Sequence, residues 1–144
     1  MGNRIRRKGS RSGEKGQALV EFAIIIPILL AVLLGIVEFA RAWQIQQVVT
    51  NAAREGARVG VINTNGLAEV DAAIQVYLQS ANMDMSQADW TTGTVLSSVS
   101  GDPDTVTVSY NYTYRLFGPV INLLGGGGTP GSVTLSSTAI MRNE

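Results

Sequence analysis

Cysteine and histidine are both absent from the 144-residue chain. Their absence excludes a disulfide framework, a thiolate nucleophile and imidazole acid–base chemistry. Lysine is scarce: Lys8 and Lys15 both lie within the first sixteen residues. Beyond that point only strongly perturbed carboxylates could titrate near neutrality, so no hydrolytic or transfer active site is expected and no cofactor is implied. Asp84, Asp89, Asp102 and Asp104 do not reproduce the ligand spacing of a calcium loop, and no metal site is assigned.

Charge of either sign is missing from residues 22–37, a run rich in Ile, Leu, Val and Ala. These sixteen residues fall short of the roughly 20 needed to cross a hydrocarbon core of about 30 Å. Ala18, Leu19 and Val20 extend the run upstream, and Phe39, Ala40, Ala42 and Trp43 extend it downstream, interrupted by Glu21, Glu38 and Arg41. A spanning helix over about 17–43 follows. A small C-terminal unit of roughly 100 residues remains, enough for a modest core.

The formal net charge of zero conceals two opposite halves. Six bases against the single acid Glu14 make residues 1–16 a +5 leader, whereas five bases against ten acids give the remainder −5. By the positive-inside rule the leader stays cytoplasmic and the chain after Trp43 is outside, with one crossing. Basic residues so placed read as a topogenic flank, and nucleic acid is not expected as a partner.

Three fates are open to such a segment: a permanent anchor, a cleaved secretory signal, or a leader cut ahead of the apolar run. Ala40-Arg41-Ala42 has the small-x-small form of a signal-peptidase site, although Glu38 and Arg41 sit beside it. Lys15-Gly16-Gln17-Ala18-Leu19-Val20-Glu21-Phe22 instead puts a glycine directly before the apolar helix and a carboxylate five places later.

That run resembles the prepilin peptidase site of TadE-like pseudopilins. The likeness continues through residues 21–30, Gly35-Ile36-Val37-Glu38-Phe39 and Asn51-Ala52-Ala53-Arg54-Glu55-Gly56-Ala57-Arg58. It covers most of the N-terminal third and is loose thereafter, in a strand ending near Arg115-Leu116-Phe117 and a terminal strand reaching Met141-Arg142-Asn143-Glu144. The resemblance implies cleavage between Gly16 and Gln17, processing and assembly roles for Glu21 and Phe22, and a minor pilin of an Flp or tight-adherence pilus. Its partners would be a prepilin peptidase, other pilins, the assembly platform and membrane lipid. The alternative is an uncleaved single-pass envelope protein whose outer unit binds a partner.

Physical reasons stand beside the likeness. A carboxylate one turn into an apolar helix calls for a counter-charge, which a new amine at Gln17 would supply. Pro27 removes a helix hydrogen bond and favours a bend. Ala31 and Gly35, and further along Ala52, Gly56 and Gly60, form ladders of small residues that let helices approach closely. The second ladder faces either this chain's own outer unit or a neighbouring subunit. Arg54, Glu55 and Arg58 are charges available to such a neighbour.

The chain divides into the cleaved leader 1–16, a long helix 17–62 and an extracytoplasmic unit 63–144. Within that unit Leu67, Val70, Ile74, Tyr77 and Leu78 mark a second, amphipathic helix ending near Ser80, and 82–92 reads as a loop. Val106, Val108, Tyr110, Tyr112 and Tyr114 alternate with polar residues as a half-buried strand. Val95 to Ser100 is expected to pair with it as a hairpin, and Val133, Leu135, Ser137, Ala139 and Met141 as a third strand. The expected class is α+β and pilin-like: a long N-terminal helix, a second helix and a three-stranded antiparallel sheet. Residues 117–124 are apolar and have no assigned place.

Overall fold

The computed structural model describes residues 11–62, 66–92, 101–116 and 131–142, with side chains from residue 16 onward. Helix α1 runs Arg11–Gly60, α2 Leu67–Ser80, and a short 3-10 turn Met85–Gln87 leads into β1 (Ala88–Thr92), followed by β2 (Pro103–Thr113) and β3 (Ser132–Arg142). The class is α+β, with an antiparallel sheet in the order β1-β2-β3.

At the usual rise α1 is about 75 Å long. It has two environments. From Gly16 to Leu30 every residue is exposed, and the large apolar side chains remain exposed through Val37 except half-buried Leu34. A lone glycine costs a helix about 1 kcal/mol, so Gly16 does not stop it, and α1 begins at Arg11 rather than at the expected residue 17. The helix also continues through Pro27. Residues 17–37 span about 31 Å at 1.5 Å per residue, close to the hydrocarbon thickness.

Beyond Glu38 one side of α1 becomes the wall of a core. Val49, Ala52, Ala53, Gly56, Ala57 and Gly60 are buried, at the three- and four-residue spacing that puts them on one stripe. Val70, Ile74 and Leu78 face them from α2, and Val106, Val108, Tyr110 and Tyr112 from β2. The closest approach is at Gly56: a Cβ there would meet Ile74 Cδ1 and Cγ1 at 2.8 Å and Val106 Cγ1 at 3.1 Å. Gly56→Val is therefore expected to lower unfolding stability by about 3 kcal/mol, because bulk is forced between two fixed elements. Denaturant titration of the full chain in detergent checks this; an unchanged midpoint would refute the close packing.

Helix α2 opens at Gly66, whose N–H donates to Glu69 Oε2 at 2.7 Å. It closes through Asn82, which takes the left-handed conformation (φ 55°), with Met83 N donating to Leu78 O at 3.0 Å. The Trp90 indole N–H donates to Asp71 Oδ1 at 2.9 Å and ties β1 to this helix.

The sheet's inward column is Val106, Val108, Tyr110 and Tyr112 on β2, flanked by half-buried Val133, Leu135, Ala139 and Met141 on β3. Its other face carries hydroxyls, including the Thr107–Thr138 bridge at 2.8 Å. Two details depart from expectation. The first strand is Ala88–Thr92, inside the segment expected to be a loop, pairing Trp90 with Val108; the expected partner, 95–100, lies outside the described residues. Five residues, three of them polar, carry too short an alternation to read, and the pairing with β2 makes them a strand. Strand β2 ends at Thr113 instead of near Phe117: Tyr114 N–H still donates to Gly131 O at 3.1 Å, but the Leu116 N–H is taken by the Glu38 side chain of α1.

Candidate functional site

The sequence-predicted processing residues sit at the exposed end of α1. Nothing lies within 4 Å of a Cβ placed on Gly16, and Phe22 is exposed. Four residues of helix bring Gln17 against Glu21, and Gln17 Nε2 donates to Glu21 Oε1 at 3.3 Å. The carboxylate thus already faces the residue whose backbone nitrogen would become an amine on cleavage after Gly16. Pro27 is exposed within α1, while Ala31 and Gly35 are half-exposed one turn apart.

The second small-residue ladder, Ala52, Gly56 and Gly60, is buried, with Gly56 packed against this chain's own α2 and β2. Arg58 clasps Glu55 through Nη2–Oε1 at 2.5 Å and Nε–Oε2 at 3.0 Å, whereas Arg54 is exposed. An exposed pair of this kind contributes at most about 1 kcal/mol. Among the described residues no three Asp, Glu, Cys or His side chains cluster as metal ligands. Residues 117–124 lie outside the described residues.

Sequence reasoning passed over Glu38, which it treated as an interruption of the apolar run. In the fold this residue is 1% exposed. Tyr112 donates its hydroxyl to Glu38 Oε2, and the Leu116 backbone N–H donates to Oε1. Both oxygens of one carboxylate thereby tie α1 to the end of β2, at the level where the exposed apolar stretch gives way to the core. The signal was available: an acid in an apolar helix needs a partner, and that logic was applied to Glu21 alone.

Tyr112 completes the junction, its ring packed edge-on to Tyr114 with centroids 5.5 Å apart. Burial first, then the hydrogen bond and negative charge of Glu38, push its hydroxyl from 10.0 up to about 12. The folded state therefore holds this proton more tightly than the unfolded state. Its contribution is complete below pH 10 and is lost as pH climbs from about 10 to about 12, a fall of about 2–3 kcal/mol for a shift of this size. Unfolding midpoints measured across that window should show the fall in the wild type and lose this component in Tyr112→Phe. Identical profiles for the two would contradict the junction.

Among the described residues the architecture is α+β, with one helix long and apolar enough to cross a membrane and a small helix-and-sheet unit at its far end. The family model described as TadE-like protein matches residues 16–58, and over that segment the chain is similar to that family. The match begins at Gly16 and ends two residues before α1 does, so α2 and the sheet lie beyond it. No curated protein and no solved structure matches the chain.

Proposed function

We propose that the chain is a minor pilin or pseudopilin of an Flp/Tad-type adhesive pilus, a structural subunit rather than an enzyme. A prepilin peptidase cuts after Gly16. The mature subunit, starting at Gln17, waits in the cytoplasmic membrane with its former leader side inside and residues 63–144 outside. It is then drawn by the assembly platform into a bundle with other pilins. One observation carries this: the TadE-like match starts at Gly16, five residues ahead of Glu21, which lies exposed one turn into an apolar helix.

Exposed apolar surface on this scale requires lipid or like helices around it. In the uncleaved chain Glu21 accepts a hydrogen bond from the neutral Gln17 amide. Cleavage converts that neighbour into a cation able to neutralise the carboxylate, within the subunit or across to the next one, and so to set the axial register of packed helices.

Intact mass with terminal peptide mapping, on protein recovered from membranes or sheared fibres, tests the proposal. A start at Gln17 supports it. A second reading, an uncleaved single-pass envelope protein, is favoured by the unbroken course of α1 from Arg11 across Gly16, and it requires Met1. A start at Trp43 would mean a secreted unit without its helix, and would exclude both.

A further inference from the structure

We propose that an open cavity of about 430 Å³ between α1, the turn after α2 and the end of β2 binds the phosphate of a membrane phospholipid between Arg41 and Arg115. This rests on the reading that α1 spans a bilayer, and it adds a lipid site to that span.

The charges lining the cavity are Arg41, Arg115 and Asp84, a net +1 suited to a phosphodiester of charge −1. Two of the five arginines after residue 16 thus meet at one cavity. Both are exposed, and neither forms an ion pair among the described residues. The nearby carboxylates accept their hydrogen bonds from other groups, while Asp84 feels the charge of Arg115 across the cavity. Asp84 Oδ1 accepts from Ser86 N at 3.0 Å and Ser86 Oγ at 2.7 Å, and Glu38, which feels the charge of Arg41, spends its two oxygens on Tyr112 and Leu116. The guanidinium donors are therefore left for an incoming anion. Gln44, Asn82 and Gln87 line the same space and offer amides to the glycerol and ester oxygens.

Depth selects a lipid as the source of that phosphate. The exposed apolar run ends at Val37, and Arg41 lies four residues on, about 6 Å along the axis. A headgroup layer is about 5–8 Å thick per leaflet. Phe39 and Trp43, exposed and stacked with centroids 6.3 Å apart, mark the same level as interfacial aromatics do.

The test is native mass spectrometry of the full chain in detergent, titrated with dioleoylphosphatidylglycerol, with dioleoylglycerol and with inorganic phosphate. The expected result is one bound phospholipid, retained at least tenfold better than dioleoylglycerol, and a tenfold or greater loss in Arg41→Gln/Arg115→Gln with an unchanged far-UV spectrum. Equal retention of dioleoylglycerol by the wild-type chain would overturn the site without reliance on any variant, since only the tails would then be recognised. Equal retention by the double variant would show lipid held by the apolar helix alone. Displacement of the lipid by inorganic phosphate at equal concentration would mark a free-anion site instead. Carbonate extraction of the same membranes separates the two levels: release would remove the span and the site together, whereas retention without lipid selectivity removes only the site.

Discussion

Replacing Glu38 by alanine is expected to lower the unfolding stability of the helix-and-sheet unit by about 3 kcal/mol. The substitution strands two donors, the buried Tyr112 hydroxyl and the half-buried Leu116 N–H, each costing up to roughly 1–3 kcal/mol when left without a partner. It also empties part of the space between α1 and β2. Relief from desolvating the carboxylate offsets some of this, which is why the expectation stays below the sum of those terms. Glu38→Gln keeps an acceptor oxygen and should cost less than Glu38→Ala. Tyr112→Phe leaves the carboxylate buried with one donor and should cost about 2 kcal/mol. Denaturant unfolding of the full chain in detergent, followed by Trp90 emission, gives the values, and combining Glu38→Gln with Tyr112→Phe should fall well short of additivity. A loss under 1 kcal/mol for Glu38→Ala would mean that the junction contributes little to holding the unit on its helix.

Gly16→Leu is expected to block processing, leaving the chain starting at Met1 and reducing the processed fraction at least tenfold. The structure makes this a sharp test. A Cβ at Gly16 meets open space, so the fold itself has no need of glycine there, and a larger residue should strengthen the helix by up to about 1 kcal/mol. Any requirement for glycine must therefore come from a partner that grips the backbone closely, as a peptidase does. Glu21→Ala should separate the later step: the terminus still appears at Gln17, but subunits fail to enter sheared fibres. Normal processing of Gly16→Leu would mean that the cut does not depend on glycine and would overturn the prepilin-type site, whereas a start at Met1 in the wild type would return the chain to the uncleaved reading.

Much of the architecture can be read from periodicity because each element meets one environment along its length. Val70, Ile74 and Leu78 recur at helical spacing, and Val106 to Tyr112 alternate cleanly, since one side of each element is buried and the other wet. Strand β1 escapes because five residues at the margin of a sheet are held by their pairing with β2 more than by their own alternation. The start of α1 escapes because the single glycine at position 16 costs a helix only about 1 kcal/mol and does not break it.

By itself, the sequence determined a basic N-terminal segment, an apolar helix with Gly16 and Glu21 at its head, and an α+β unit to follow. These depend on composition and spacing within one segment. Only the tertiary structure decided what Glu38 does, why Gly56 must be small and where Arg41 and Arg115 meet. Each of these turns on residues 18 to 78 positions apart along the chain, brought together by packing of α1 against α2 and the sheet. Local pattern carries no record of such distances, because a buried carboxylate and an interrupting one are the same letter until the partner strand arrives.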